Sequence, residues 1–333
     1  MSLIQAISDH VRESLGNPVR VRRLLGDRPD FKADLLGPAD NIAMERVPAW
    51  QRLGQDGWGW GVGGRKGSTF ELMGWRSVDN HYGSFTASCP ALSNLVRRTD
   101  VERWACDLQD IHGFAASKSK LETFSSTDEM VQTNSPEMIQ DISAAGLRQN
   151  LAHDEIRLLR EVPTDWLEVH QWDRRMYVVN DGGSHHLAAA KYIAARIEAP
   201  VPLVAPLRYY SFDEAAVALL RATYDVYLVK DEPELASAFH DAMKSAGATW
   251  LWQDMPKPYE NTRAIFLPTT ECVAMRVSEA FREAGYVDLG QHLEEVARSG
   301  APEVLMRRLH EQHLAESEEN EESATYGSSP RTY

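Results

Sequence analysis

The sequence predicts an α+β (or α/β) fold, and three observations carry that expectation. From about residue 155 onward, apolar strand-like runs alternate with helix-like runs. Residues 176–197 read as strand, glycine turn and helix in succession. Residues 135–150, SPEMIQDISAAGLRQN, carry helix signals: Ser135 to cap, Pro136 at the first helical position, and Glu137 and Asp141 on the side the helix dipole favours.

The elements follow in chain order. MSLIQAISDHVRES reads as a polar or amphipathic helix, because Asp9, His10 and Arg12 interrupt its apolar residues, and this is no signal-peptide pattern. Breaks at Gly16-Asn17-Pro18, Gly26 to Pro29 and Gly37-Pro38 argue against one cooperative element before residue 55. Residues 57–78, GWGWGVGGRKGSTFELMGWRSV, suggest one or two strands around a glycine-rich turn. Gly59, Gly61 and Gly64 match the dinucleotide fingerprint in form only, since no strong strand precedes them and no convincing helix follows. The basic clusters at 19–25 and 97–104 read as solvated helix faces. In 135–150 Met138, Ile139 and Ile142 form a helical stripe and Gly146 is the expected stop.

Beyond that, LEVHQW and RMYVVN around Asp173-Arg174 suggest a hairpin. Residues 201–210 read as a strand, and Ser211 with Glu214 as a capping box for the helix that follows. YDVYLV, TWLWQDM and RAIFLP read as strands, and PELASAFHDAMKSAG as a helix ended by Gly247. Two more helices are expected near 270–284 and 288–299. The domain reading is an N-terminal extension over 1–130, an α+β core over 131–312 and a disordered acidic tail over 313–333.

Composition bounds the function. A net charge of −14 repels phosphate backbones at long range, so nucleic acid is not a favoured partner. The 3 cysteines are widely spaced and form no zinc or disulfide framework. No apolar run reaches the roughly 18–20 residues that span a bilayer. The expectation is a soluble cytoplasmic protein with no membrane partner.

The stretch that concentrates chemistry is NDGGSHHLAAAKYIAARI, residues 180–197. Asp181-Gly182-Gly183 permits positive φ, Ser184 lies at or next to the N-cap, and the alanines favour a helix. A helix start presents unpaired N–H groups and positive dipole, a natural phosphate site. His185 and His186 would then donate to the anion or move its protons. The competing reading is that Gly-Gly-Ser simply starts a helix well. HDE, residues 153–155, adds acid–base or metal-binding groups, and His153 with Asp181 is the candidate metal pair. Asp79, His81, Ser84 and Cys89 sit close in sequence, but their segment lacks a nucleophile elbow and reads as a polar loop with a buried cysteine.

GGSHHLAAA resembles the signature of the ParB/sulfiredoxin-like superfamily, and DISAAGLRQN, residues 141–150, is similar to the helix that leads into it in ParB proteins. Gly183 matches the family glycine, Ser184 the sulfiredoxin cysteine, His185 the histidine and His186 the arginine. The resemblance covers roughly residues 135–200. It implies a mixed sheet with flanking helices and a phosphate site for a nucleotide triphosphate, ATP or CTP, with Mg²⁺ as an accompanying ion. On that reading Asp181, Gly182, Gly183, Ser184 and His185 bind the nucleotide, and His185, His186 and Glu155 serve NTP hydrolysis or phosphoryl transfer. Three departures bear on it. Histidine at 186 lacks arginine's permanent two-pronged charge. Serine at 184 removes the redox role. The span from Gly146 to Gly182 is longer than usual. A non-catalytic protein-interaction module of plasmid, phage or defence context is the first alternative. A metal-dependent nuclease is the second.

Overall fold

The computed structural model describes residues 12–13, 16–54, 70–79 and 81–300. The chain divides into two units, Met1–Arg298 and Ser299–Tyr333, and of the second only residues 299 and 300 are described. The first fifteen residues fall almost wholly outside the described part. So do Gly59, Gly61, Gly64 and the acidic segment 313–333.

The fold is α+β, with helices flanking two sheets. Ten strands are described: β1 (Glu71–Val78), β2 (His81–Ser88), β3 (Val96–Asp107), β4 (Ile111–Phe114), β5 (Trp166–His170), β6 (Met176–Val179), β7 (Pro202–Phe212), β8 (Tyr224–Lys230), β9 (Trp250–Asp254) and β10 (Thr262–Pro268). The helices are α1 (Val19–Asp27), α2 (Pro90–Ser93), α3 (Thr127–Asn134), α4 (Ala144–Leu151), α5 (Ser184–Arg196), α6 (Glu214–Thr223), α7 (Pro233–Ala246), α8 (Cys272–Glu283) and α9 (Leu289–Arg298). One sheet runs β2-β1-β9-β10-β8 and is antiparallel throughout. The other runs β3-β7-β5-β6-β4 and is mixed, with β5/β7 and β4/β6 parallel. Strands from before and after residue 130 pair in both sheets, so a boundary there falls inside each sheet. Among the described residues no helix is long and apolar enough to cross a membrane.

Continuous apolar runs become strands buried on both faces. In β8 and β10, Val226, Leu228, Ala264 and Phe266 enter one core with Trp50, Phe212 and Leu293. Tyr227, Val229, Ile265 and Leu267 enter the other core with Phe31, Phe239 and Phe281. That double burial explains why YDVYLV and RAIFLP lack the polar alternation of a half-solvated strand.

Several local readings are corrected. HYGSFTAS, read as a loop, is β2, and it lies at a sheet edge where small and polar residues are tolerated. Residues 97–104 are not a helix face but part of β3, also at an edge, with most of its charges exposed. The helix expected over 135–150 is broken. Residues Pro136–Ile139 form a 3₁₀ turn, and α4 starts afresh where the Ser143 hydroxyl accepts the Ala145 and Gly146 N–H groups. Gly146 does not end that helix; it lies within it. Asp213, not Ser211, caps α6, accepting the Ala216 N–H at 2.9 Å, because β7 carries Ser211 in extended form.

The glycine turn is held between these elements. The β5–β6 hairpin delivers the chain to it, and Asp173 at the hairpin tip is buried among Arg175 and the Tyr177 hydroxyl. α5 leaves it buried almost all round, at Leu187, Ala188, Ala189, Ala190, Ile193 and Ala194. Each large apolar side chain buried there contributes about 1.5–3 kcal/mol. The small alanines let α3 and α4 lie close against it. A β-carbon on Gly146 would sit 2.1 Å from the Asp141 carbonyl oxygen. Gly146→Ala is therefore expected to lower the thermal unfolding midpoint. Helix propensity alone favours alanine by about 0.8–1 kcal/mol, but overpacking costs about 1–3 kcal/mol. Circular dichroism melting checks this, and a midpoint at or above wild type contradicts it.

Candidate functional site at the glycine turn

After β6 the chain turns through Gly182 at φ 125° and Gly183 at φ 71°. Both values lie where side chains are strained. Gly183 is constrained a second way, because a β-carbon there would meet the Glu155 carbonyl oxygen at 2.7 Å. The Gly183 N–H donates to the Glu155 carboxylate at 3.2 Å. Asn180 clamps the turn: its amide donates to the Gly182 carbonyl at 2.7 Å and the Ala116 carbonyl at 3.0 Å, and it accepts the Ala116 N–H at 3.2 Å. Arg157 donates to the Asp181 carbonyl and pairs with the Asp181 carboxylate at 3.1 Å. Beneath the turn Asp165 is buried, and burial raises its carboxyl above the usual range against the pull of Arg157.

α5 begins at Ser184, and its first internal bond runs from the Leu187 N–H to the Gly183 carbonyl. Among the described residues, no protein acceptor meets the backbone N–H groups of Ser184, His185 and His186. These are the orphan donors at the positive end of a 13-residue helix. The Ser184 hydroxyl is already committed, donating to the Ser117 hydroxyl at 2.9 Å.

The two histidines are held differently. His185 has both ring nitrogens engaged: Nε2 with the Ser119 hydroxyl at 3.0 Å, and Nδ1 with the hydroxyl of buried Ser135. Asn134 donates to the same Ser119 hydroxyl at 2.6 Å. With both ring nitrogens engaged, His185 braces the helix start. His186 bonds through Nδ1 to the Asn150 side-chain oxygen at 3.1 Å. Its ring stacks on His153 with centroids 3.6 Å apart and planes 14° apart. His153 in turn accepts the Glu155 N–H on Nδ1 at 3.3 Å. An Asp154 carboxylate lies 3.7 Å from that same nitrogen, but this acid is solvent-exposed and the backbone donor defines the nitrogen as an acceptor. Burial, foremost, lowers the pKa of both His185 and His186, with Lys118 adding to it at His185 and His153 at His186.

An open cleft of about 500 Å³ lies over this helix start, within the range of small-molecule sites. Asp181, Gly182, Gly183, Ser184, His185, His186, His153 and Glu155 all line it, so the fold joins the HDE stretch to the glycine turn. Asp181 and His153 share the cleft lining. The Asp181 side chain is 97% exposed and bound to Arg157, and among the described residues no group of three or more His, Cys, Asp or Glu could hold a metal ion. Sequence reasoning missed Ser117 and Lys118, which line the cleft from the loop after β4. Lys118 is exposed and has no acidic partner among the described residues. It also missed Asn150 and Asn180, which fix the site by hydrogen bonds between elements distant in sequence; Asn150 stood inside the GLRQN motif, the one signal available. Cys89 is buried in an apolar core that raises its thiol pKa.

The chain belongs to the DUF6685 family, a family of unknown function, whose pattern matches residues 101–303, more than half of the chain. That span contains every residue of the cleft. No curated protein and no solved structure matches the chain.

His112, His185, His186 and His292 all have pKa values lowered from 6.5, with burial as the first cause. The unfolded chain then binds more protons than the folded one below that value. Stability is expected to fall as pH drops through about 6.5. Urea unfolding at pH about 7.5 and about 5.5 checks this; an unchanged or higher midpoint at the lower pH contradicts it.

Proposed function

We propose that the cleft at the start of α5 binds a phosphate-bearing ligand, with a nucleotide triphosphate, ATP or CTP, as the class. The observation that carries this reading is the set of three unpaired N–H groups at Ser184, His185 and His186, opening into a cleft of about 500 Å³. They would take phosphate oxygens, as helix starts do. Lys118 supplies an ammonium to the cleft, where His186 lacks the two-pronged charge of an arginine. Ser117 accepts from both the Ser184 hydroxyl and the Ser119 N–H, so its own O–H is left to donate into the cleft. The resemblance of GGSHHLAAA and DISAAGLRQN to the ParB/sulfiredoxin-like superfamily supports the same assignment, and the two stretches lie side by side as α4 and α5.

Glu155 opposes it. Its carboxylate occupies the Gly183 N–H and would repel phosphate nearby. Glu155 would be the residue to hold an accompanying Mg²⁺ ion, whose charge would offset that repulsion. The same carboxylate favours a second reading, in which the turn is satisfied internally and the protein acts by binding another protein.

A thermal-shift panel of ATP, CTP, GTP and their diphosphates, with and without Mg²⁺, separates the two. A ligand at about 100 times its Kd adds about 2.7 kcal/mol of stability. Wild type is expected to gain such a shift from at least one of these, and Lys118→Ala, an exposed change, to lose most of it. No shift in wild type overturns the phosphate reading.

A further inference from the structure

We propose that Asn150 is a positioning residue that fixes His186 as its Nδ1–H tautomer, so that the Nε2 lone pair faces the cleft as a proton acceptor.

Asn150 is buried at the end of α4. Its side-chain nitrogen donates to two backbone carbonyls, Met138 at 3.0 Å and Gly146 at 3.0 Å. Carbonyls only accept, so both amide hydrogens are spent there, and a flipped amide would set three oxygens against one another. The side-chain oxygen must then face His186, 3.1 Å from Nδ1. An oxygen cannot donate, so the hydrogen belongs to Nδ1. A neutral imidazole carries one N–H, which leaves Nε2 bare. Among the described residues no protein group meets that nitrogen, and His186 lines the cleft.

Burial holds the ring's pKa below the ordinary histidine value. The groups that act on it are His153, Glu155, His185 and Asp154. Burial and the stacked His153 oppose a proton on His186, and Glu155 favours one. His153 is itself an acceptor at Nδ1, toward the Glu155 N–H, so when neutral it carries its hydrogen on Nε2. Two parallel rings 3.6 Å apart disfavour a positive charge on both at once. What Nε2 would accept is a proton from water or a hydroxyl group beside a bound phosphate. That consequence rests on the phosphate reading; the tautomer does not.

The tautomer is read on the ligand-free protein. Histidine labelled with ¹⁵N gives separate signals for protonated and bare ring nitrogens, and His186→Gln assigns the residue. Wild type is expected to show a protonated Nδ1 and a bare Nε2 at neutral pH. Asn150→Ala, folded by circular dichroism, is expected to move His186 toward the Nε2–H form. A wild-type spectrum with hydrogen on Nε2 overturns the proposal, and so does an Asn150→Ala spectrum unchanged at His186. If Asn150→Ala does not fold, the wild-type spectrum alone decides. Thermal shifts without this tautomer defeat only the inference; this tautomer without thermal shifts defeats only the phosphate reading.

Discussion

The contact between Glu155 and Gly183 sets the geometry of everything around the cleft. The Glu155 backbone oxygen lies only 2.7 Å from where a β-carbon of residue 183 would be, and its carboxylate takes the Gly183 N–H. Only a residue without a side chain can pass that close, and only there does the chain turn from β6 into α5. Once the turn is made, the Asn180 amide ties it to the loop carrying Ser117 and Lys118, and Arg157 ties it to the segment after α4. Remote stretches are thereby brought to one helix start.

That arrangement divides the labour of the adjacent histidines. Consecutive residues in the first turn of a helix point about 100° apart, so they meet different neighbours. His185 falls among hydroxyls that can donate or accept, and both nitrogens are satisfied. His186 falls against an amide oxygen that can only accept, which leaves its far nitrogen open. The chemistry on offer at the cleft thus includes one open imidazole nitrogen, one ammonium and three backbone donors, beside the carboxylates of Glu155 and Asp181.

Much of this was legible in the sequence. Positive φ at Gly182 and Gly183, and a helix within one residue of the expected start, follow from glycine chemistry and alanine propensity. The runs YDVYLV and RAIFLP read correctly because burial on both faces leaves an unbroken apolar signature. The edge strands β2 and β3 did not, since an edge tolerates the polar residues that mark loops and solvated helices. The break at residues 140–143 was hidden because Ser143 caps by a hydrogen bond that competes with continuing the helix. Lys118 and Asn150 were invisible as site residues because nothing in their local pattern records what the fold brings opposite them.

The central claim is that the N–H groups of Ser184, His185 and His186 are open to an anion while that of Gly183 is taken. Backbone amide ¹H–¹⁵N shifts, followed as inorganic pyrophosphate is added with Mg²⁺, test it directly. Saturable shifts centred on residues 184–186, accompanied by Lys118, are expected with wild-type folding retained. Shifts absent from those three amides, or scattered over the surface without saturation, would contradict it.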